Sequence, residues 1–236
     1  RCRLVGSEMC IRDRFFYEKY FRVEAYGLEN IPAEGRLLII PNHSGQLPLD
    51  GVLIGYSMLT NPHGPRTPKA MIERFFPTVP FIGTALNRIG AVIGDPENCR
   101  VMLENEQAII VFPEGVKGTS KVFSKRYQLQ KFGKGFVHLA MKHKTPIIPV
   151  GVVGCEESIV SLADFKDIGK ELGMPTFPLV IPVLWPTKVI IHYGKPIYLK
   201  DEVANNENIT KNVRLVKEEI KKLIDLGLSK RENLFD

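Results

Sequence analysis

The chain has 236 residues, 44% of them hydrophobic, which suffices for a substantial core and fits one domain. Its apolar runs are broken by proline before they reach the length of a membrane-spanning helix, no secretory signal is visible, and Cys2, Cys10, Cys99 and Cys155 lie too far apart to read as a zinc site or a disulfide framework. The net charge of +6 favours anionic partners: nucleic acid, phosphorylated metabolites or an acidic membrane surface.

Residues 1–13 have no clear period and are expected to be a non-native segment, leaving 14–236 as the domain, so that any upstream membrane-anchoring helix would lie outside the sequence. Phe15 to Phe21 reads as a short aromatic helix lying on apolar surface, either the domain's own core or a membrane interface. Val23 to Tyr26 reads as an edge strand and Leu37 to Ile40 as a buried strand. That buried strand runs into Pro41-Asn42-His43-Ser44-Gly45-Gln46-Leu47-Pro48-Leu49-Asp50-Gly51, and a helix follows from Val52 through Met58. A histidine thus stands at a strand exit, with a carboxylate at the mouth of the next helix. Imidazole takes a proton near neutral pH, and a carboxylate on its far nitrogen fixes the tautomer. The pair is half a catalytic triad without its own nucleophile, so an alcohol substrate would have to supply the attacking oxygen. A plain loop histidine and a helix N-cap fit the same residues.

Asn61-Pro62-His63-Gly64-Pro65 breaks the chain, and Lys69 to Ile72 and Ala91 to Ile93 read as short strands around a helix from Val79 to Ile89 that carries Arg88. Asn98 to Glu106 is helical in character. Ala108 to Phe112 is a buried strand that delivers a second polar group at its exit, in Pro113-Glu114-Gly115-Val116-Lys117-Gly118. From Gly115 to Lys144 there are eight Lys or Arg and no Asp or Glu, a run that would suit phosphates or lipid headgroups. Gly135 to Lys144 reads as a helix, Pro146 to Val153 as a buried strand, and Lys188 to Tyr193 as a late strand with His192 in a structural place. Phe177 to Trp185, apolar and rich in proline, reads equally as a membrane-interface loop or as a cover for the core. The tail, with Val213, Val216, Ile220 and Ile224 among charged residues, is an amphipathic helix packing on the domain. Strands alternating with helices predict a single α/β domain with a central, largely parallel mixed sheet flanked by helices, its chemistry on loops at the strand ends. No G-x-S-x-G elbow, H-E-x-x-H, phosphate loop or dinucleotide fingerprint occurs, so ATP chemistry is not expected.

Asn42-His43 with Asp50, Pro80-Phe81-Ile82-Gly83 through Gly90-Ala91-Val92-Ile93, Phe112-Pro113-Glu114-Gly115, and Ile148-Pro149-Val150 resemble, in order, the four blocks of the glycerolipid acyltransferase family, of the lysophosphatidic acid acyltransferase type. The resemblance covers about Leu37 to Ile197. It implies transfer of a fatty acyl group from acyl-CoA or acyl carrier protein to a glycerolipid hydroxyl, 1-acylglycerol-3-phosphate first, as in phospholipid biosynthesis. It also implies His43 as general base oriented by Asp50, with Glu114 and Gly115 shaping the acceptor site and Lys117 meeting a phosphate or other polar headgroup. No metal or redox cofactor and no nucleic acid are implied. The expected location is peripheral, on the cytoplasmic face of a membrane.

This sequence departs from the family pattern in two respects. Six residues separate His43 from Asp50, with Pro48 where the usual shorter spacing would put the carboxylate. Asp95-Pro96 replaces an arginine after the second block, and Lys117 stands where arginine is usual, keeping the charge without the bidentate fork. A neutral acceptor such as diacylglycerol therefore stays open, as do a thioester or ester hydrolase and a lipid-binding module on the same fold.

Overall fold

Leu37 to Ile40 are fully buried, and successive residues serve opposite sides: Leu38 and Ile40 enter one core, Leu37 and Ile39 the other. A strand apolar on both faces needs helices on both. The structure, a computed structural model, describes residues 14–44, 49–72, 91–119, 121–165, 178–181, 183–199 and 205–231. Residues 1–13 and 45–48 and the expected Val79 to Ile89 helix with Arg88 lie outside them.

In chain order the strands are β1 (Glu24–Tyr26), β2 (Leu37–Pro41), β3 (Lys69–Ile72), β4 (Val92–Ile93), β5 (Ala108–Ile110), β6 (Ile147–Val153), β7 (Ser161–Asp164), β8 (Pro178–Val180) and β9 (Ile190–Tyr193). The helices are α1 (Leu49–Leu59), α2 (Pro96–Glu104), α3 (Val116–Thr119), α4 (Gly135–Lys142), α5 (Cys155–Ser158) and α6 (Asn206–Ser229). Among the described residues seven strands form the main sheet in the order β1-β9-β6-β2-β5-β3-β4. All neighbours are parallel except β6 and β9. This is the expected largely parallel mixed sheet.

An apolar core forms on each face: α2, α4 and α6 contribute Leu103, Val137 and Ile220 to one, and α1 contributes Leu53, Ile54 and Met58 to the other. The aromatic segment before β1 forms a π-helical turn, Phe16–Tyr20, and leads Phe21 into the second core. Helix α2 starts where its sequence says: the Asp95 side chain accepts the Asn98 N–H at 2.8 Å and Pro96 opens the first turn. Helix α6 lies directly on β6 because Gly151 leaves room; a Cβ there would come within 2.7 Å of Leu223 Cβ and 2.8 Å of Ile224 N.

Pro149 sits inside a central strand, where a missing N–H is normally costly. Its carbonyl accepts from Gly194 N, just past the end of β9, and Ile147 pairs with Ile197, so that edge of β6 has already left the regular ladder. The Pro-rich stretch expected as a loop contains β8, which pairs antiparallel with β7 across an irregularity between Ser161 and Ala163.

Candidate active site

Strands β6, β2 and β5 are neighbours and parallel, so residues leaving their carboxyl ends converge. From β2 come Asn42 and His43. Asn42 extends the ladder with its side chain: its Nδ2 donates to Val152 O at 3.0 Å and its Oδ1 accepts from Val152 N at 2.7 Å. This bidentate clamp fixes the backbone from which His43 projects.

His43 and Asp50 are brought together. Nδ1 of His43 lies 2.7 Å from Asp50 Oδ2, and the side chains are 11% and 0% exposed. Asp50 sits in the first turn of α1, where Oδ2 also accepts from Ser44 N at 2.8 Å and Oδ1 from Gly51 N at 2.7 Å. A carboxylate already accepting two backbone N–H groups holds the imidazole proton on Nδ1 and leaves the Nε2 lone pair as the base. Among the described residues Nε2 has no hydrogen-bond partner. The ring stacks on Phe112, centroids 4.2 Å apart at 27°.

Glu114 leaves β5 and reaches under His43. Its Oε1 accepts from His43 N at 3.0 Å, its Oε2 accepts from Gln130 N at 2.7 Å, and its side chain is 0% exposed. Glu114, expected to shape the acceptor site, holds the backbone of the base. Gly115 is half-buried at a φ of 55°, and Lys117 is exposed on α3. Gly118 presses against the site: a Cβ there would come within 2.6 Å of His43 Cβ and 2.9 Å of Glu114 Cβ.

Ser44 and Cys155 lie beside Asp50 but are 0% and 1% exposed, and burial, then the Asp50 charge, pushes the Cys155 thiol well above its usual range. Neither is set up as a nucleophile. Behind the pair Glu156, at the exit of β6, receives Lys121 Nζ at 2.6 Å and Tyr127 N at 2.6 Å. Burial raises its carboxyl above the usual range, opposed by Lys121. Sequence reasoning passed over Phe112, Gly118, Lys121 and Glu156 as site residues. The strand-exit rule that singles out Glu114 applies equally to Glu156; nothing in the sequence marks Lys121 apart from its seven basic neighbours. A hollow of about 440 Å³ beside Asn30, Lys195 and Glu219 lies at the opposite end of the sheet, sharing no lining residue with this site.

The chain is similar to an uncharacterized protein of Mycobacterium leprae, 32% identical across 94% of this chain and 64% of that one, and to one of Mycobacterium tuberculosis, 33% identical across 94% and 66%. It thus spans just under two thirds of the length of these relatives. A bovine protein named DGAT1/2-independent enzyme synthesizing storage lipids is 27% identical across 86% of this chain and 59% of its own. Among solved structures, the 1-acyl-sn-glycerophosphate (LPA) acyltransferase PlsC from Thermotoga maritima shares the fold, with a TM-score of 0.62 and 18% identity over 98% of this chain and 86% of that one. The acyltransferase family matches residues 22–153, more than half of the sequence and the whole of the His43, Asp50 and Glu114 site, and the chain therefore belongs to the acyltransferase family.

Proposed function

We propose that this protein transfers a fatty acyl group from a thioester, acyl-CoA or acyl carrier protein, to a glycerolipid hydroxyl, with 1-acylglycerol-3-phosphate as the first candidate acceptor. The observation that carries the reading is the His43–Asp50 pair, whose neighbouring hydroxyl and thiol are buried, so that the attacking oxygen comes from a substrate. His43 Nε2 takes the proton as the acceptor oxygen bonds to the thioester carbonyl carbon. Asp50 stabilises the resulting imidazolium. The tetrahedral oxyanion then collapses, the carbon–sulfur bond breaks, and Nε2 returns the proton to the departing thiolate. Ester and thiol are the products, and proton count and charge balance. Lys117, exposed beside the site, would face the acceptor's headgroup.

A peripheral location on a membrane is supported by what surrounds this end of the sheet. Leu162, Phe165, Leu179, Val183 and Trp185 follow β6 and are 42 to 58% exposed, and Phe15 and Phe16 precede β1, whose amino end lies on the same side. Exposed Lys125 and Arg126 belong to the chain's basic run, and Arg126 approaches Glu157, just past β6, to 3.6 Å. Such a mixture suits an anionic lipid interface. No described helix is long and apolar enough to cross a membrane.

The bovine relative's name favours a second reading, a neutral acceptor such as diacylglycerol, which also fits lysine rather than arginine at position 117. Labelled acyl-CoA transfer to lysophosphatidic acid, monoacylglycerol and diacylglycerol, with His43→Ala alongside, tests both. His43-dependent product from the phosphate acceptor supports the first reading, and from neutral acceptors alone the second. Release of free fatty acid alone would indicate a hydrolase. No His43-dependent product would leave a lipid-binding module.

A further inference from the structure

We infer that Lys121 and Glu156 are positioning residues for His43, a role that rests on the acyl-transfer reading above. Glu114 and Glu156 come from the exits of β5 and β6, the two strands that flank β2, and His43 leaves β2 between them. The Lys121 ammonium lies between the two carboxylates, 2.6 Å from Glu156 Oε1 and 3.7 Å from Glu114 Oε2. Each carboxylate uses an oxygen on the segment that carries the lysine: Glu156 Oε2 takes Tyr127 N–H at 2.6 Å, and Glu114 Oε2 takes Gln130 N–H at 2.7 Å. The remaining oxygen, Glu114 Oε1, holds His43 N–H at 3.0 Å. The chain of contacts therefore runs from Glu156 through Lys121 and Glu114 to the backbone of the base.

The side chains of Lys121, Glu114 and Glu156 are 5%, 0% and 5% exposed. Lys121 is thus withdrawn from the basic run that reads, in sequence, as a phosphate-binding face. Two carboxylates this close tolerate joint ionisation only with a cation between them, and burial already favours the protonated form of Glu156. Without Lys121, the burial that raises the Glu156 carboxyl is no longer opposed by its cation. The grip on the segment around Tyr127 and Gln130 loosens, Glu114 shifts, and His43 Nε2 moves with its own backbone.

The test compares kcat and KM for the wild type, Lys121→Met, Glu156→Gln and the double variant, using acyl-CoA and the acceptor that the wild type accepts. Lys121→Met is expected to lower kcat about a hundredfold, the cost of a misplacement near 1 Å, with acceptor KM within about twofold of wild type. The double variant, which removes the cation and one carboxylate together, is expected to recover at least about tenfold of that loss. Unchanged kcat, or a rise confined to the KM of a phosphate-bearing acceptor, would overturn the inference, the latter by making Lys121 a substrate contact. Should Lys121→Met fail to fold, Glu156→Gln carries the same kinetic comparison. Amide hydrogen exchange provides a readout independent of activity: His43 N–H should lose protection in Lys121→Met while Ile39 N–H keeps it. Equal protection of His43 in both proteins overturns the inference even if the wild type proves inactive on every acceptor, an outcome that would instead sink acyl transfer.

Discussion

Asp50 Oδ2 meets His43 Nδ1 at 2.7 Å across six intervening residues because the carboxylate is fixed from both sides. Ser44 N–H, immediately after the histidine, donates to the same oxygen, and Gly51 N–H, in the first turn of α1, donates to the other. The carboxylate is therefore held by the residue that follows the histidine and by the helix that carries it. The pair thus forms although the spacing is longer than the family's usual one.

Asp50→Asn should keep the Gly51 N–H contact on its amide oxygen, while its NH2, placed where Oδ2 stood, gives up the Ser44 N–H contact and favours the wrong imidazole tautomer. With acyl-CoA at saturation, kcat is expected to fall by about 10⁴-fold, as in hydrolase triads altered in this way. A fall of less than about tenfold would mean that Nε2 is not the working base.

Gly118→Ala introduces a methyl 2.6 Å from His43 Cβ and 2.9 Å from Glu114 Cβ, both anchored side-chain roots rather than flexible ends. Overpacking of this kind costs about 1–3 kcal/mol. The urea midpoint should drop accordingly, and kcat should fall by more than tenfold, roughly, because the strain falls on the base itself. A variant with a lowered midpoint and wild-type kcat would show that His43 yields without moving Nε2.

The central sheet was legible because its strands are continuous apolar runs that stop at polar strand exits; Leu37 to Ile40 and Ile147 to Val153 are both buried throughout. The small β7–β8 sheet was not, since β8 is three residues long and opens on Pro178, which reads as a breaker. At the site, residue type pointed to His43, Asp50 and Glu114, but orientation was hidden. Nothing in Pro113-Glu114-Gly115 tells whether the carboxylate faces a ligand or the backbone of its neighbour. The same holds for Lys121, one of eight basic residues, whose burial depends on Glu156 arriving from a strand that comes much later in the chain.

Arg231, just past α6, donates to Glu157 beside the exit of β6, and its Nη1 lies 3.3 Å from the Tyr127 hydroxyl. The side chains of Arg231 and Glu157 are 5% and 6% exposed, and Arg126 approaches Glu157 only to 3.6 Å. Arg231→Ala leaves a buried carboxylate short of its main cation, a change that costs about 3 kcal/mol. Thermal unfolding should show a Tm lower by roughly 6–12 °C for a domain of this size. Arg231→Ala combined with Glu157→Gln should regain much of that loss; an equal Tm for single and double variants would mean that Arg231 acts through Tyr127 instead.

His192 gives a pH dependence that can be separated from the active site. It is 5% exposed on β9, stacked on Tyr26 at 4.8 Å, and Lys230 Nζ lies 3.6 Å from the same tyrosine ring. Burial, followed by the nearby Lys230 charge, lowers its pKa from the ordinary 6.5. The unfolded chain then binds the proton more readily than the folded one. Stability is therefore full above 6.5, declines as pH falls below it, and levels off once pH passes beneath the folded value. In urea titrations between neutral and mildly acidic pH, His192→Gln should flatten that decline relative to the wild type while leaving the His43-dependent rate at neutral pH unchanged. An identical decline in both proteins would assign the acid sensitivity to another group, with His143, also lowered by burial, the next to substitute.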